Sequence, residues 1–151
     1  MMKLDICGRG TIMSTIIRPE ISKKNSFYIS KERYYELKHF CMQYKDWQKA
    51  LQSLDTLNFG GSIPEFITSK NYHASPVERI CIAREYYRDK IRMIEKSAVL
   101  ADEEIANYIL MAVTKNLSCV ALINKYNMPC GKDKFYNAYR KFFWHLSQLR
   151  H

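Results

Sequence analysis

Closely spaced cysteine pairs are missing from this chain of 151 residues. Its five cysteines are odd in number and far apart, and neither a CxxC nor an HxxxH pairing occurs. Secreted disulfide frameworks and structural zinc sites need paired ligands at short spacing, so we expect neither a disulfide framework nor a bound metal. Reduced thiols in a cytoplasm are the simplest interpretation. Cys41 and Cys81 fall on apolar helical faces and are predicted to lie in the core.

Long apolar runs are also missing. No stretch approaches the ~18 residues of a membrane-spanning helix, and the N-terminus lacks the apolar region of a signal peptide. We therefore expect no membrane partner. Met13-Ser14-Thr15 is typical of the beginning of a protein, so a start at Met13 is an alternative to Met1.

Catalytic motifs are absent from the sequence as well. No Ser, Cys or carboxylate lies in a nucleophile or metal pattern, and the four histidines have no partner motif. Gly8-Arg9-Gly10 and Gly60-Gly61 lack the Lys-Ser/Thr that follows in a phosphate-binding loop. We expect that the chain is not an enzyme and uses no cofactor.

Neither strand-like alternation nor internal repeats interrupt the helical periodicity. Apolar residues recur at steps of three and four, which predicts an all-α fold of about five helices. The predicted helices cover residues 30–57, 75–99, 101–116, 118–126 and 132–149. Ser30 is a candidate N-cap, and Ser75-Pro76-Val77-Glu78 has the pattern of a capping box. The run Asp102-Glu103-Glu104 is interpreted as acidic charge in the first turn of the third helix.

The predicted organisation has three parts: an N-terminal arm at 1–29, a helical domain at 30–114 and a basic region at 115–151. The first helix carries an apolar stripe from Tyr34 to Leu54. That stripe could pack the core of one chain or join two chains as a homodimer.

Positive charge is concentrated at the C-terminal end of the sequence. Residues 115–151 contain seven Lys/Arg and one acid, which gives +6 of the chain's total of +9. Two helices in this segment are separated by Met128-Pro129-Cys130-Gly131, which is the pattern of a helix-turn-helix. Compact basic helices favour a polyanionic partner, most simply double-stranded DNA.

A helix-turn-helix lays the start of its second helix in the major groove, while the first helix crosses the phosphate backbone. This geometry points to outward polar residues on the two helices as DNA contacts. They are Ser118, Lys125, Lys132, Lys134, Tyr136, Asn137, Arg140 and Lys141. The competing interpretation is a helical hairpin whose basic residues form an ordinary solvated face. Phe143 and Trp144 are predicted to be core residues.

The order of these parts resembles the RinA/ArpU type of late-gene activator from phages and prophages of Gram-positive bacteria. The matching parts are the helix at 30–57, the linker at 60–74, the Ser75-Pro76-Val77-Glu78 helix and the segment Tyr108–Arg150. Segments such as Pro129–Tyr136 also look like uncharacterised proteins of gut Clostridia and their mobile elements. The resemblance implies a C-terminal helix-turn-helix similar to region four of primary sigma factors, and host RNA polymerase as a partner.

The turn departs from the usual pattern of that motif. The apolar anchor of the second helix normally follows six residues after the glycine of the turn, but Phe135 follows eight residues after Asn127. This difference leaves open which side chains reach bases. An alternative function is a phage-encoded inhibitor of host defence, of the anti-CRISPR type, acting on a nuclease or its guide RNA.

Overall fold

The computed structural model describes residues 25–56 and 73–151. Within these two ranges every regular element is a helix, which confirms the all-α fold. The helices are α1 Lys31–Met42, α2 Tyr44–Thr56, α3 Pro76–Ala101, α4 Ala106–Lys115, α5 Cys119–Tyr126 and α6 Lys132–Leu149. Most of the predicted arm, the alternative start at Met13 and most of the linker lie outside the described residues.

The single helix predicted over 30–57 is wrong, because the chain divides it into α1 and α2. Gln43 lies between the two helices, and its N–H donates to the carbonyl of Phe40 at 3.2 Å. α2 lies along α3, where the Tyr44 hydroxyl donates to Glu95 Oε1 at 2.6 Å, whereas α1 packs mainly on α4 and α6. An apolar stripe with steps of three and four fits one straight helix and also two helices joined at an angle. Periodicity therefore did not reveal the break.

The beginning of α3 follows the predicted capping box. Glu78 N–H donates to Ser75 Oγ at 3.2 Å, and Ser75 N–H donates to Glu78 Oε2 at 2.7 Å. Pro76 occupies the first turn, where its missing N–H has no helical partner to lose. These local bonds fix the start of the longest helix in the described residues.

The predicted third helix, 101–116, is wrong at its beginning. α3 continues to Ala101, and α4 starts only at Ala106. Asp102 is extended, and its Oδ1 accepts the Glu104 N–H at 3.0 Å. This side-chain bond holds a turn in place of a helix start, which is a common role of aspartate.

The main core lies where α1, α3, α4 and α6 meet. Tyr34, Ile94, Ile109 and Phe142 are fully or almost fully buried there, one from each helix. The predicted apolar stripe of α1 and α2 is covered within one chain, as the core-packing alternative requires. Its buried members are Tyr34, Leu37, Phe40, Cys41, Tyr44, Trp47 and Leu54.

Two cysteine predictions had different outcomes. Cys41 is buried in the main core, as expected, whereas Cys81 is exposed. On α3 the inward position near Cys81 is taken by Ala83, which packs with Leu54 of α2. Phe143 is buried as predicted, and Trp144 is half-buried against the core.

No single helix of the described ranges is both long and apolar enough to cross a membrane. The apolar helices α4 and α5 would be so only as a pair, and they are bent by 119° relative to each other.

Phe142→Ala is expected to lower the free energy of unfolding by about 3–5 kcal/mol, because the truncation leaves a cavity in the main core. Leu100→Ala is the matched control. Leu100 is 49% exposed, so its truncation should change the stability by no more than about 0.5 kcal/mol. Chemical denaturation followed by circular dichroism measures both. Equal losses for the two variants would contradict this description of the core.

Candidate nucleic-acid interface

The three C-terminal helices form a unit with two sharp joints. α4 ends at Asn116, which adopts the left-handed conformation with φ 53° and ψ 44°. The next residue, Leu117, donates its N–H to the carbonyl of Ala112 at 3.1 Å. Ser118 then caps α5, since its hydroxyl accepts the Ala121 N–H at 3.2 Å. This joint produces the 119° bend between α4 and α5.

The second joint connects α5 to α6. Asn127 repeats the left-handed conformation, with φ 52° and ψ 44°, and Met128 N–H donates to the carbonyl of Leu122 at 3.2 Å. Asparagine is the residue that best replaces glycine at such a helix end. A left-handed residue that stops the first helix sharply is what a helix-turn-helix requires at this point.

The additional length of the turn does not separate the two helices. Leu122 of α5, Met128 of the turn and Phe135 of α6 are buried together in a second, smaller cluster with Ala112 and Cys119. Cys130 is half-buried and contacts both this cluster and the main core. Of the residues of the turn, Met128 is buried and Cys130 is half-buried, whereas Pro129 and Gly131 are exposed.

The residues predicted to contact DNA all lie at or near the surface. Ser118, Lys125, Lys132, Lys134 and Asn137 are exposed, whereas Tyr136, Arg140 and Lys141 are half-buried. Their local contacts separate seven of them into two groups, and Tyr136 lies between the two helices.

The first group consists of Lys125, Lys132, Asn137 and Arg140. Within the described ranges, their side chains form no hydrogen bond, ion pair or ring contact. Asn137 and Arg140 are three residues apart, so they lie next to each other on the outer side of α6. From Lys132 to Arg140 the helix rises about 12 Å, which is close to the width of the major groove of DNA.

The second group is engaged within the protein. The Lys134 ammonium donates a hydrogen bond to Glu104 Oε2 and lies 3.8 Å from Asp102 Oδ2. The hydrogen bond to Glu104, together with the charge of Asp102, raises the pKa of Lys134. The Lys141 ammonium lies 5.5 Å from the centre of the Phe27 ring. The Ser118 hydroxyl serves as the cap of α5.

Tyr136 connects the two helices of the candidate interface. Its ring centre lies 5.4 Å from that of Phe135, and its side chain packs against the smaller cluster. Partial burial raises the pKa of its hydroxyl, and the nearby Cys119 at the start of α5 adds to the effect. Tyr136 therefore stays neutral at physiological pH and is able to donate a hydrogen bond.

The far end of α6 is fixed on α1. Arg33 Nε donates to Ser147 Oγ at 3.2 Å, and Glu36 forms ion pairs with both Arg33 and Arg150. The hydrogen bond from Arg33 is the main reason that the pKa of Glu36 is lowered. The Arg150 guanidinium lies 4.3 Å from the centre of the Phe40 ring. Arg150 therefore contributes to the net charge of the C-terminal segment but is occupied at the opposite end of α6.

Metal chemistry has no ligand set in the part of the chain that the structure describes. Within residues 25–56 and 73–151, no group of three or more His, Cys, Asp or Glu is placed so that it could hold a metal ion. Cys119 and Cys130 pack in the same small cluster, and burial raises the pKa of both thiols.

Comparisons with models of protein families, with curated protein sequences and with solved structures find no significant match to this chain.

Asn127→Ala is expected to lower the free energy of unfolding by about 1 kcal/mol, because a side chain with Cβ and no local hydrogen-bonding group is strained at positive φ. Asn127→Gly should leave the stability unchanged or raise it. Asn124→Ala, an exposed helical position three residues earlier, is the control and should not destabilise, because alanine favours helix. Thermal unfolding of the three variants measures these effects. A loss in Asn127→Gly as large as that in Asn127→Ala would contradict the left-handed joint.

Proposed function

We propose that this chain is a sequence-specific DNA-binding transcriptional regulator of a phage or mobile element. The observation that carries the proposal is the group Lys132, Asn137 and Arg140 on the first half of α6. These three side chains are at the surface without partners among the described residues, on a helix whose inner side is buried. Their spacing along the helix suits a single passage through the major groove.

The chemistry of the three residues matches what DNA offers. Lysine and arginine bind phosphate oxygens, and arginine pairs with the O6 and N7 atoms of guanine. The amide of asparagine pairs with the N6 and N7 atoms of adenine. Lys125 of α5 would add a phosphate contact from the supporting helix. A helix with both base-reading and phosphate-binding groups favours a specific site over a purely electrostatic one.

The mounting of α6 supports the same proposal. Phe135, Phe142, Phe143 and Leu146 are buried along its inner side, and Ser147 and Arg150 at its far end contact Arg33 and Glu36 of α1. A recognition helix held in this way does not need to be ordered on binding, so less of the interaction free energy is lost. The rigid mounting also sets which side chains can reach bases.

The resemblance to RinA/ArpU-type activators supports the wider proposal. It implies that the chain binds a duplex operator and changes the activity of host RNA polymerase there. Two half-sites would require two copies of the chain. The apolar stripe of α1 and α2 is already buried in one chain, so a homodimer would use another surface.

The experiment is selection of random duplex DNA with the purified chain at low and moderate salt, followed by sequencing of the bound pool. The wild type should enrich one motif, and its affinity should fall steeply with salt because neutralised phosphates release counterions. The triple variant Lys132→Ala, Asn137→Ala, Arg140→Ala should lose the motif. Each lost base contact is worth about 1–3 kcal/mol of discrimination, so the loss should exceed tenfold in affinity.

The matched control removes the same kinds of group elsewhere. Lys45, Gln48 and Lys49 are exposed on α2, and their change to Ala removes two cations and one amide. This control should keep the motif and lose only a small, salt-sensitive part of the affinity. Absence of binding by the wild type at low salt would overturn the proposal and favour the alternative of a protein-binding inhibitor of host defence.

A further inference from the structure

The acidic turn between α3 and α4, defined as Asp102, Glu103 and Glu104, lies against the start of α6. Lys134 is the contact between them, through its hydrogen bond to Glu104 and its 3.8 Å approach to Asp102. The bond from the Glu104 N–H to Asp102 Oδ1 fixes the shape of the turn. One side of the candidate recognition helix is therefore bordered by carboxylates.

This border makes the charges on α6 unequal. Lys132 and Arg140 have no acidic partner among the described residues, whereas Lys134 has two. A phosphate that approaches Lys132 or Arg140 meets a free cation. A phosphate that approaches Lys134 must displace Glu104 and remain beside Asp102, at a cost in repulsion.

The pair between Lys134 and Glu104 is weak enough to be exchanged. The side chain of Lys134 is 45% exposed and that of Glu104 is 78% exposed. Exposed ion pairs contribute at most about 1 kcal/mol and are screened by salt. A phosphate of DNA can therefore compete with Glu104 for this lysine, and neither partner wins by a large margin.

We propose that the acidic turn is an autoinhibitory contact that competes with nucleic-acid phosphate for Lys134. The inference rests on the proposed function, since it concerns the same surface of α6. In the free protein Glu104 holds Lys134, and on DNA the lysine exchanges the carboxylate for a phosphate. The consequence is weaker binding to every polyanion, so that only sites with favourable base contacts are occupied.

The test compares Glu104→Gln with Glu103→Gln in binding to the same random-sequence duplex. Both residues are exposed, lie in the same turn and lose one negative charge, but only Glu104 bonds to Lys134. Glu104→Gln is expected to bind about twofold to fivefold more tightly than Glu103→Gln, the range that a released surface pair allows.

A double-mutant cycle isolates the contact. In a Lys134→Ala background, Glu104→Gln and Glu103→Gln should bind with the same affinity, because the competing lysine is gone. Equal affinities of the two Gln variants in the presence of Lys134 would overturn the inference while leaving DNA binding intact. Absence of DNA binding in all variants, each shown by circular dichroism to be folded, would overturn the proposed function and the inference with it.

Discussion

The burial of the aromatic side of α6 is the constraint on which the rest of this structure depends. Phe142 and Phe143 are completely buried among α1, α3 and α4, and Tyr139 reaches the Tyr34 hydroxyl at 3.3 Å. Because one side of α6 is buried against these helices, the helix cannot rotate about its axis, and its opposite side always faces the same way. The direction in which Asn137 and Arg140 point is therefore decided by packing on the other side of the same helix.

The sequence predicted those features that depend on neighbours along the chain. Ser30, Ser75 and Ser118 all cap helices, because each needs only a backbone N–H three residues ahead. The break at Gln43 and the turn at Asp102 were missed. Asp102 faces Lys134 of α6, and Tyr44, next to Gln43, bonds to Glu95 of α3. Helical periodicity on either side of the break and the turn continues almost unchanged.

The same distinction applies to the residues of the predicted site. Surface positions on α6 followed from periodicity, so every predicted contact residue lies at or near the surface. The state of each cation did not follow, because Lys134 meets Glu104 at a distance of 30 residues in sequence and Arg150 meets Glu36 at 114. The net charge of the segment includes these two residues, although both form ion pairs in the folded protein. The unpaired cations of the C-terminal segment are a smaller and more localised set than its composition suggests.

The bond between Arg33 and Ser147 spans 114 residues, and it joins the first described helix to the last. Tyr34 packs on Phe143 over a similar separation, with ring centres 4.9 Å apart. Contacts of this length are made late, since a long loop must close before they form. During synthesis α1 leaves the ribosome before α4 and α6, the two helices that cover most of its core side, so part of that side stays uncovered until α6 follows. The last helix thus exposes the candidate interface on one side and completes the core on the other.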